Sequence, residues 1–432
     1  MMSPQLLSIL VLAGMFVVAT MLPINIGILA FVASFVVGTF ALGLDEKEIF
    51  EGFPVSLFIT VVGVTYLFSV AKLNGTIDLL VDQGIRLVRG RAILVPWVLF
   101  AVAAVLTALG TFTPAAVALL VPIGMNFAFK YRISPLMIGM MVICGAHAGA
   151  FSPMAVSGAL VFGIVADSGL AVSQAVLFFA SLAFNALLGA ITYLLLRNRG
   201  EESFVERPET TDTDDDLPTG GGGVATLVRT RPQVITWQQR ATLVALVGLV
   251  VGALAFHLQI GFLALAAGAV LALLDRENLG KAIDGISWPT ILLVAGMVTY
   301  VGVLEHAGTI EWVSEGAVHL GAPLLVALVL CLVVGITSAF ASSTAILTAV
   351  IPMAIPLLLT GSLPAAGVIA AMAISTTIVD VSPFSTNGAL VLANARGVDR
   401  TRFYRQVITY TCGIVALGPL AAWAVLVLPG AF

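Results

Sequence analysis

A chain of 432 residues that is 60% hydrophobic and only 10% charged, with a mean hydropathy of +1.11, does not have the composition of a water-soluble globular protein. Its net charge of −4 points to no nucleic-acid or acidic partner, because eight acids (Glu201, Glu202, Glu206, Glu209, Asp212, Asp214, Asp215 and Asp216) are gathered in one segment. Three cysteines, Cys144, Cys331 and Cys412, each lie inside an apolar run and show no paired spacing of a disulfide framework or metal site.

The N-terminal MMSPQLL lacks the basic start of a signal peptide, so the first apolar run is expected to remain as a helix. Apolar stretches of about 18 residues or more recur along the chain, which predicts an all-α polytopic membrane protein, whereas the alternating strands of an outer-membrane barrel are absent. In chain order, helices are expected over 6–21, 24–43, 54–73, 135–166 and 172–196, then 238–256, 260–274, 289–306, 363–394 and 404–429. Between the two sets, residues 197–236 include EESFVERPETTDTDDDLPTGGGG, too poor in apolar residues to pack, and are expected to form a disordered acidic linker.

On either side of the linker the chain repeats itself. Ile26-Gly27 with Leu29-Ala30 returns as Ile260-Gly261 with Leu263-Ala264, and Thr65-Tyr66 returns as Thr299-Tyr300. Gly75-Thr76-Ile77-Asp78 returns as Gly308-Thr309-Ile310-Glu311, Pro122 as Pro352, Ser152-Pro153 as Ser382-Pro383, and Gly158-Ala159-Leu160-Val161 as Gly388-Ala389-Leu390-Val391. The order is kept throughout while the offset drifts only from 234 to 230, which marks a duplication of 1–196 in 237–432.

The distribution of positive charge decides the relative orientation of the copies. Basic residues cluster at Arg86, Arg89 and Arg91, at Lys130 and Arg132, at Arg197 and Arg199, at Arg229, Arg231 and Arg240, at Arg276 and Lys281, and at Arg396, Arg400, Arg402 and Arg405. None occurs from 282 to 395. If 92–130 and 323–360 are re-entrant hairpins that enter and leave on one face, every cluster falls on the cytoplasmic side. Each copy then has five crossings, the copies are inverted, both termini lie outside and the linker lies inside.

Irregular backbone at membrane depth is tolerated only where it faces protein or lines a water-filled cavity. Four such places are expected: the hairpin tips Gly110-Thr111-Phe112-Thr113-Pro114 and Ser338 to Thr344, and breaks at His147 to Pro153 and Thr377 to Pro383, where each proline removes an amide donor. Half-helices starting there present amides that bind anions. The candidate substrate ligands are therefore Thr111, Thr113, Ser152, Ser157, Ser342, Ser343, Thr344, Ser382, Ser385, Thr386 and Asn387. Taken singly, each of these residues also fits a role in close helix packing. No Lys or Arg occurs in these segments, so the expected ligand is a compact anion held by hydroxyls and helix amides.

Candidates for coupling are His147, Thr377 and Asp380. Asp380 is the one carboxylate within a break, and its repeat partner is Ala150; it either serves coupling or is held structurally by Thr376 or Thr377. His147, which aligns with Thr377, is read as a proton carrier, as a substrate donor or as a neutral, satisfied core histidine.

PINIGILAF, GFPVSLFITVVGVTYLF, LNGTIDLLV, IRLVRGR, PAAVALLVPI and GAHAGAFSP, covering residues 1–170, resemble the MatC-type dicarboxylate carriers described for malonate and related diacids. Through its hairpins and broken helices the whole chain is similar to the wider ion transporter superfamily, which includes the divalent anion/sodium symporters. Those symporters carry Ser-Asn-Thr at each hairpin tip; Ser342-Ser343-Thr344 is close to it and Phe112-Thr113-Pro114 departs from it. The resemblance implies an elevator-type secondary carrier in a bacterial cytoplasmic membrane. It also implies a homodimer and a small C3/C4 dicarboxylate (malonate, malate or succinate class) moved with Na⁺ or H⁺ and no other cofactor. A monovalent cation/proton antiporter or metalloid-anion exporter of the same superfamily is the alternative. No Gly-x-Ser-x-Gly or His-Glu-x-x-His pattern is present, and no enzyme is expected.

Overall fold

A computed structural model describes residues 3–22, 24–86, 92–166, 168–170, 172–198, 235–256, 258–275, 280–319, 323–340 and 342–430. Most of the expected linker, together with Arg89, Arg91, Arg199, Arg229, Arg231 and Arg276 of the basic clusters and Ala341 of the second tip, lies outside the described residues. Among those described, all regular structure is helical.

The first half contains α1 (Pro4–Met21), α2 (Ile26–Val36), α3 (Glu46–Glu51), α4 (Val55–Leu73) and α5 (Thr76–Arg86). It continues with α6 (Val95–Ala108), α7 (Thr113–Tyr131), α8 (Pro135–Gly149), α9 (Val156–Ala166) and α10 (Gln174–Leu196). In the second half are α11 (Trp237–Ala255), α12 (Ile260–Leu274), α13 (Lys281–Asp284), α14 (Trp288–His306) and α15 (Thr309–His319). After these come α16 (Pro323–Ser338), α17 (Ser343–Leu359), α18 (Ala365–Ile378), α19 (Thr386–Asn394) and α20 (Arg400–Leu426). Six of the described spans are long and apolar enough to cross a membrane: α4, α7, α10, α14, α18 with α19, and α20 to Gly430; shorter apolar helices of 10–17 residues accompany them.

Local chemistry sets the helix starts. Ser3, Asn25, Ser134, Gln259 and Asp399 each accept a hydrogen bond from an amide in the first turn, and Asp45 with Glu48 and Thr236 with Gln239 close capping boxes. Two features have no counterpart in the sequence reading. A π-helical turn continues α2 over Val37–Leu42, and the connectors TIDLLVDQGIR and TIEWVSEGAVH are themselves helices, α5 and α15. Ile77 and Val81 of α5 face inward, and Gly84 lies against Val102 of α6.

The two halves pack on each other through paired contacts. α2 packs on α14, and α4 packs on α12. A side chain at Gly27 would strike the Leu292 carbonyl, and one at Gly296 would strike the carbonyl of Gly27. The same contact recurs with the halves exchanged: Gly261 lies against the backbone of Ile59 and Thr60, and Gly63 against the Gly261 carbonyl. Glycine at these four places lets the backbones meet directly, as apolar helices do when no hydrophobic effect drives them together. Polar ties follow the same exchange. The hydroxyls of Ser8 and Thr309 are 2.8 Å apart, and the Asn74 amide donates to Thr242 at 2.7 Å.

A second group of helices is built around α8 and α18. Every residue of α8 is buried, enclosed by α6, α7 and α10; α18 is likewise buried from Val368 onward among α16, α17 and α20. The halves interlock where α7 packs on α19 and α9 on α17.

Both central helices stop before their proline. α8 ends at Gly149, and α18 ends at Ile378 and passes through a 3-10 turn at Val379–Val381. The chain then folds back so tightly that Gly158 and Gly388 lie against the carbonyls of Ser152 and Ser382. That contact explains why the phrase with Ser-Pro and a glycine six residues after the serine is written twice: only glycine fits under the returning carbonyl.

Candidate functional site

Six helix N-termini line one cavity of ≈ 390 Å³: those of α2, through Asn25 and Ile26, and of α14, through Pro289 and Thr290, and four more at the tips and breaks. Thr113 and Pro114 begin α7, Ser157 is in the first turn of α9, Ser342 to Thr344 begin α17, and Ser385 to Asn387 begin α19; all of these line the cavity. The partial positive charge of each helix start therefore faces the same space. Neither Phe112 nor Ser342 caps α7 or α17 with a side chain, although in α7 Pro114 has no amide and those of Ala115 and Ala116 donate to the Phe112 carbonyl. α19, by contrast, is capped by Ser385, which accepts from the Gly388 amide at 3.2 Å.

Of the residues singled out in the sequence, Thr113, Ser157, Ser342, Ser343, Thr344, Ser385, Thr386, Asn387, His147, Thr377 and Asp380 line this cavity. Thr111, Ser152 and Ser382 do not. The Ser152 hydroxyl donates to the Ala108 carbonyl and accepts from the Ala155 amide, fastening the first break to its hairpin. Ser382 accepts from the Phe384 amide at 3.2 Å, and the Thr111 hydroxyl is buried without a partner among the described residues. In the second half the hairpin is fastened from the other direction, by Ser338 donating to the Thr376 carbonyl at 2.8 Å.

Asp380 is 9% exposed and is held neither by Thr376 nor by Thr377, whose hydroxyls donate back to Met372 and Ala373 of their own helix. The Ser343 hydroxyl, on the hairpin 37 residues earlier, donates to Asp380 Oδ2 at 2.6 Å. His147 Nε2 lies 3.5 Å from the same oxygen, and Asn387 Nδ2 lies 3.4 Å from Nε2. His147 Nδ1 and Asn387 Oδ1 are buried with no partner among the described residues, so His147 is not a fully satisfied core histidine. Serine, aspartate and asparagine come from the second half and histidine from the first. Among the described residues no Lys or Arg lines the cavity. With Asp380 ionised, an anion about 4 Å away would meet about 4 kcal/mol of repulsion at an effective dielectric near 20.

Several lining residues were not singled out in the sequence. Asn25 caps α2 and donates to the Pro289 carbonyl at 2.8 Å, joining α2 to α14 at the cavity wall. Its signal was present: Gln259 holds the matching place before Ile260-Gly261, and caps α12 in the same way. Phe112, Phe340 and Phe384 also line the space, the last two stacked with ring centres 5.6 Å apart. Phe112 and Phe340 fall within the two hairpin tips, whereas in a chain with 24 phenylalanines nothing marks Phe384. Among the described residues no group of three or more His, Cys, Asp or Glu is placed to hold a metal ion.

Six described spans are apolar and long enough to cross a bilayer, and one of them, α18 with α19, is broken beside the cavity, as the shorter α8 and α9 are. Residues 2–150 match the family model of the dicarboxylate carrier protein MatC N-terminus, the family that the first half of the sequence resembles. The fold is similar to that of the YdaH transporter of Alcanivorax borkumensis, whose crystal structure is described as having an unusual topology. The TM-score is 0.57 at 15% identity, over 87% of this chain and 86% of that one. At that identity the likeness is one of fold. No curated protein matches the chain.

Proposed function

We propose that the chain is a secondary active carrier of a small C3/C4 dicarboxylate, of the malonate, malate or succinate class, across the bacterial cytoplasmic membrane, coupled to Na⁺ or H⁺. The observation that carries this reading is the convergence of the four helix N-termini at the tips and breaks, with their hydroxyls, on a single cavity with no cationic side chain among the described residues. Such a lining attracts a carboxylate through dipoles and still lets it leave, because no buried Lys or Arg fixes it in place. The match of residues 2–150 to the MatC N-terminus model supports a dicarboxylate as the substrate class.

In this proposal the two halves are inverted, with both termini outside and the linker cytoplasmic. The paired helices α2, α4, α12 and α14 stand still in a homodimer while hairpins and broken helices carry the site across. A single cysteine at Lys130 and another at Gly361 are then expected to label from opposite faces of the membrane. The transport test is uptake of radiolabelled malonate or succinate into proteoliposomes under a sodium gradient and, separately, a pH gradient. Flux under one of them is expected, and no diacid flux under either would discard the proposal. Ion antiport or metalloid-anion export remains the alternative favoured by buried Asp380, and would appear as cation or oxyanion flux without diacid.

A further inference from the structure

We infer that His147 and Asp380 form one proton-accepting pair shared between the two halves, and that this proton is both the counter-charge for the substrate carboxylate and the coupling ion. The inference rests on the dicarboxylate reading above and chooses between the two coupling ions which that reading leaves open.

The hydrogen-bond bookkeeping is the first support. One ring nitrogen, His147 Nε2, faces two neighbours with opposite demands: Asn387 Nδ2 at 3.4 Å, which offers a proton, and Asp380 Oδ2 at 3.5 Å, which accepts one. In the neutral ring, a proton on Nε2 satisfies Asp380 and leaves Nδ1 a bare acceptor; a proton on Nδ1 leaves a buried donor unused. Nδ1 has no partner among the described residues in either case, and neither has Asn387 Oδ1. Turning the Asn387 amide over places its oxygen toward Nε2–H but does nothing for Nδ1. A second proton on the ring gives Asp380 its ion pair and places a compensating positive charge on a residue that lines the cavity.

Charge is the second support. Helix α16 presents buried Cys331, α8 presents buried Cys144 three residues before His147, and on α20 the hydroxyl of half-buried Tyr410 is bonded to Thr192. Among the described residues no other Asp, Glu or His lines the cavity, and Lys130, Arg197, Arg400, Arg402 and Arg405 stand exposed at helix ends. An anion that enters this space therefore meets an uncompensated Asp380 unless a proton enters with it. The immediate neighbours of Asp380 Oδ2 are a donating hydroxyl and an imidazole nitrogen, not the ring of oxygens that a hard cation requires. Because Ala150 occupies the matching place in the first half, there is one such pair and not two.

The step is an acid–base one: a proton from bulk water moves onto the pair as the carboxylate binds and returns to water on the other side when it leaves. Malonate binding to the purified full chain in lipid nanodiscs tests it by calorimetry, run at one pH in phosphate and in Tris, whose ionisation heats differ. About one proton is expected to be taken up per malonate, without sodium, with the affinity falling by up to about tenfold per pH unit above the titration of the pair. Asp380→Asn is expected to bind with no proton uptake and an affinity that no longer varies with pH, and His147→Gln to move the midpoint of the pH dependence. The wild-type result stands whether or not the variants fold. Malonate binding with no proton taken up, or binding that requires sodium at every pH, would overturn this inference alone. No diacid binding at any pH with or without sodium would overturn the dicarboxylate reading and this inference with it.

Discussion

At the first helix break residue 150 is alanine, and the facing hairpin tip offers Phe112, Thr113 and Pro114; at the second the same place holds Asp380, and the tip offers Ser342, Ser343 and Thr344. The backbones of the two regions are near copies, with helices that stop before a proline and glycines pressed under the carbonyl of the preceding serine. What differs is the chemistry placed on them. In the proposed carrier, attraction for an anion comes from helix starts in both halves, whereas Asp380 has no counterpart and the histidine beside it comes from the other half. In the proposed carrier, two similar breaks would thus supply a cavity in which single residues create an asymmetric function.

The largest effect is expected where the copies are the same. Gly158→Val and Gly388→Val each drive a side chain into a backbone carbonyl, and both are expected to cost at least the upper part of the about 1–3 kcal/mol range for overpacking. Loss of monodisperse protein and a lower midpoint of thermal unfolding report it, and a large difference between the two would break the symmetry of the comparison. Next come the tips. Ser343→Ala removes the donor to Asp380, a hydrogen bond to a charged group worth about 1.5–3 kcal/mol, and is expected to lower malonate uptake by tenfold or more. Thr113→Ala, at the first tip and without a carboxylate to serve, is expected to do less in the same assay. A smaller change is expected from Phe384→Ala, which removes a stacked pair worth about 0.5–1.5 kcal/mol at the cavity wall and is read as a raised KM for uptake.

The smallest effect concerns the connectors. Burial, and then neighbouring Asp82, raise the Asp78 carboxyl above its ordinary value on α5. The folded chain therefore prefers the protonated acid, and stability is lost as pH rises through the unfolded carboxylate range toward the folded value. Asp78→Asn is expected to raise the unfolding midpoint by a few degrees at pH 7 and hardly at all near pH 4, which differential scanning at the two pH values checks.

The breaks and tips were legible because proline, glycine and hydroxyl residues stand out in a sequence of Leu, Val and Ala, and because each phrase was written twice. Ser152 and Ser382 show the limit of that signal, since their hydroxyls satisfy backbone groups outside the cavity. The partner of Asp380 was not legible at all. Thr376 and Thr377 are its neighbours in sequence, yet each hydroxyl is taken by the carbonyl four residues back, the ordinary fate of threonine inside a helix. Ser343 reaches Asp380 only because the hairpin folds back over the break, a long-range contact that no local pattern encodes. The amphipathic helices α5 and α15 were hidden for a different reason: their charged residues mark a connector, and only the burial of Ile77 and Val81 shows that one face packs.

The measurement that bears most directly on the shared anion cavity is substrate protection at both tips. With Cys144, Cys331 and Cys412 replaced, single cysteines at Thr113 and at Ser343 are labelled by a small thiol reagent with and without malonate. The account predicts that malonate slows labelling at both, because one ligand touches α7 and α17 together. Protection at one tip alone, or at neither, would contradict it.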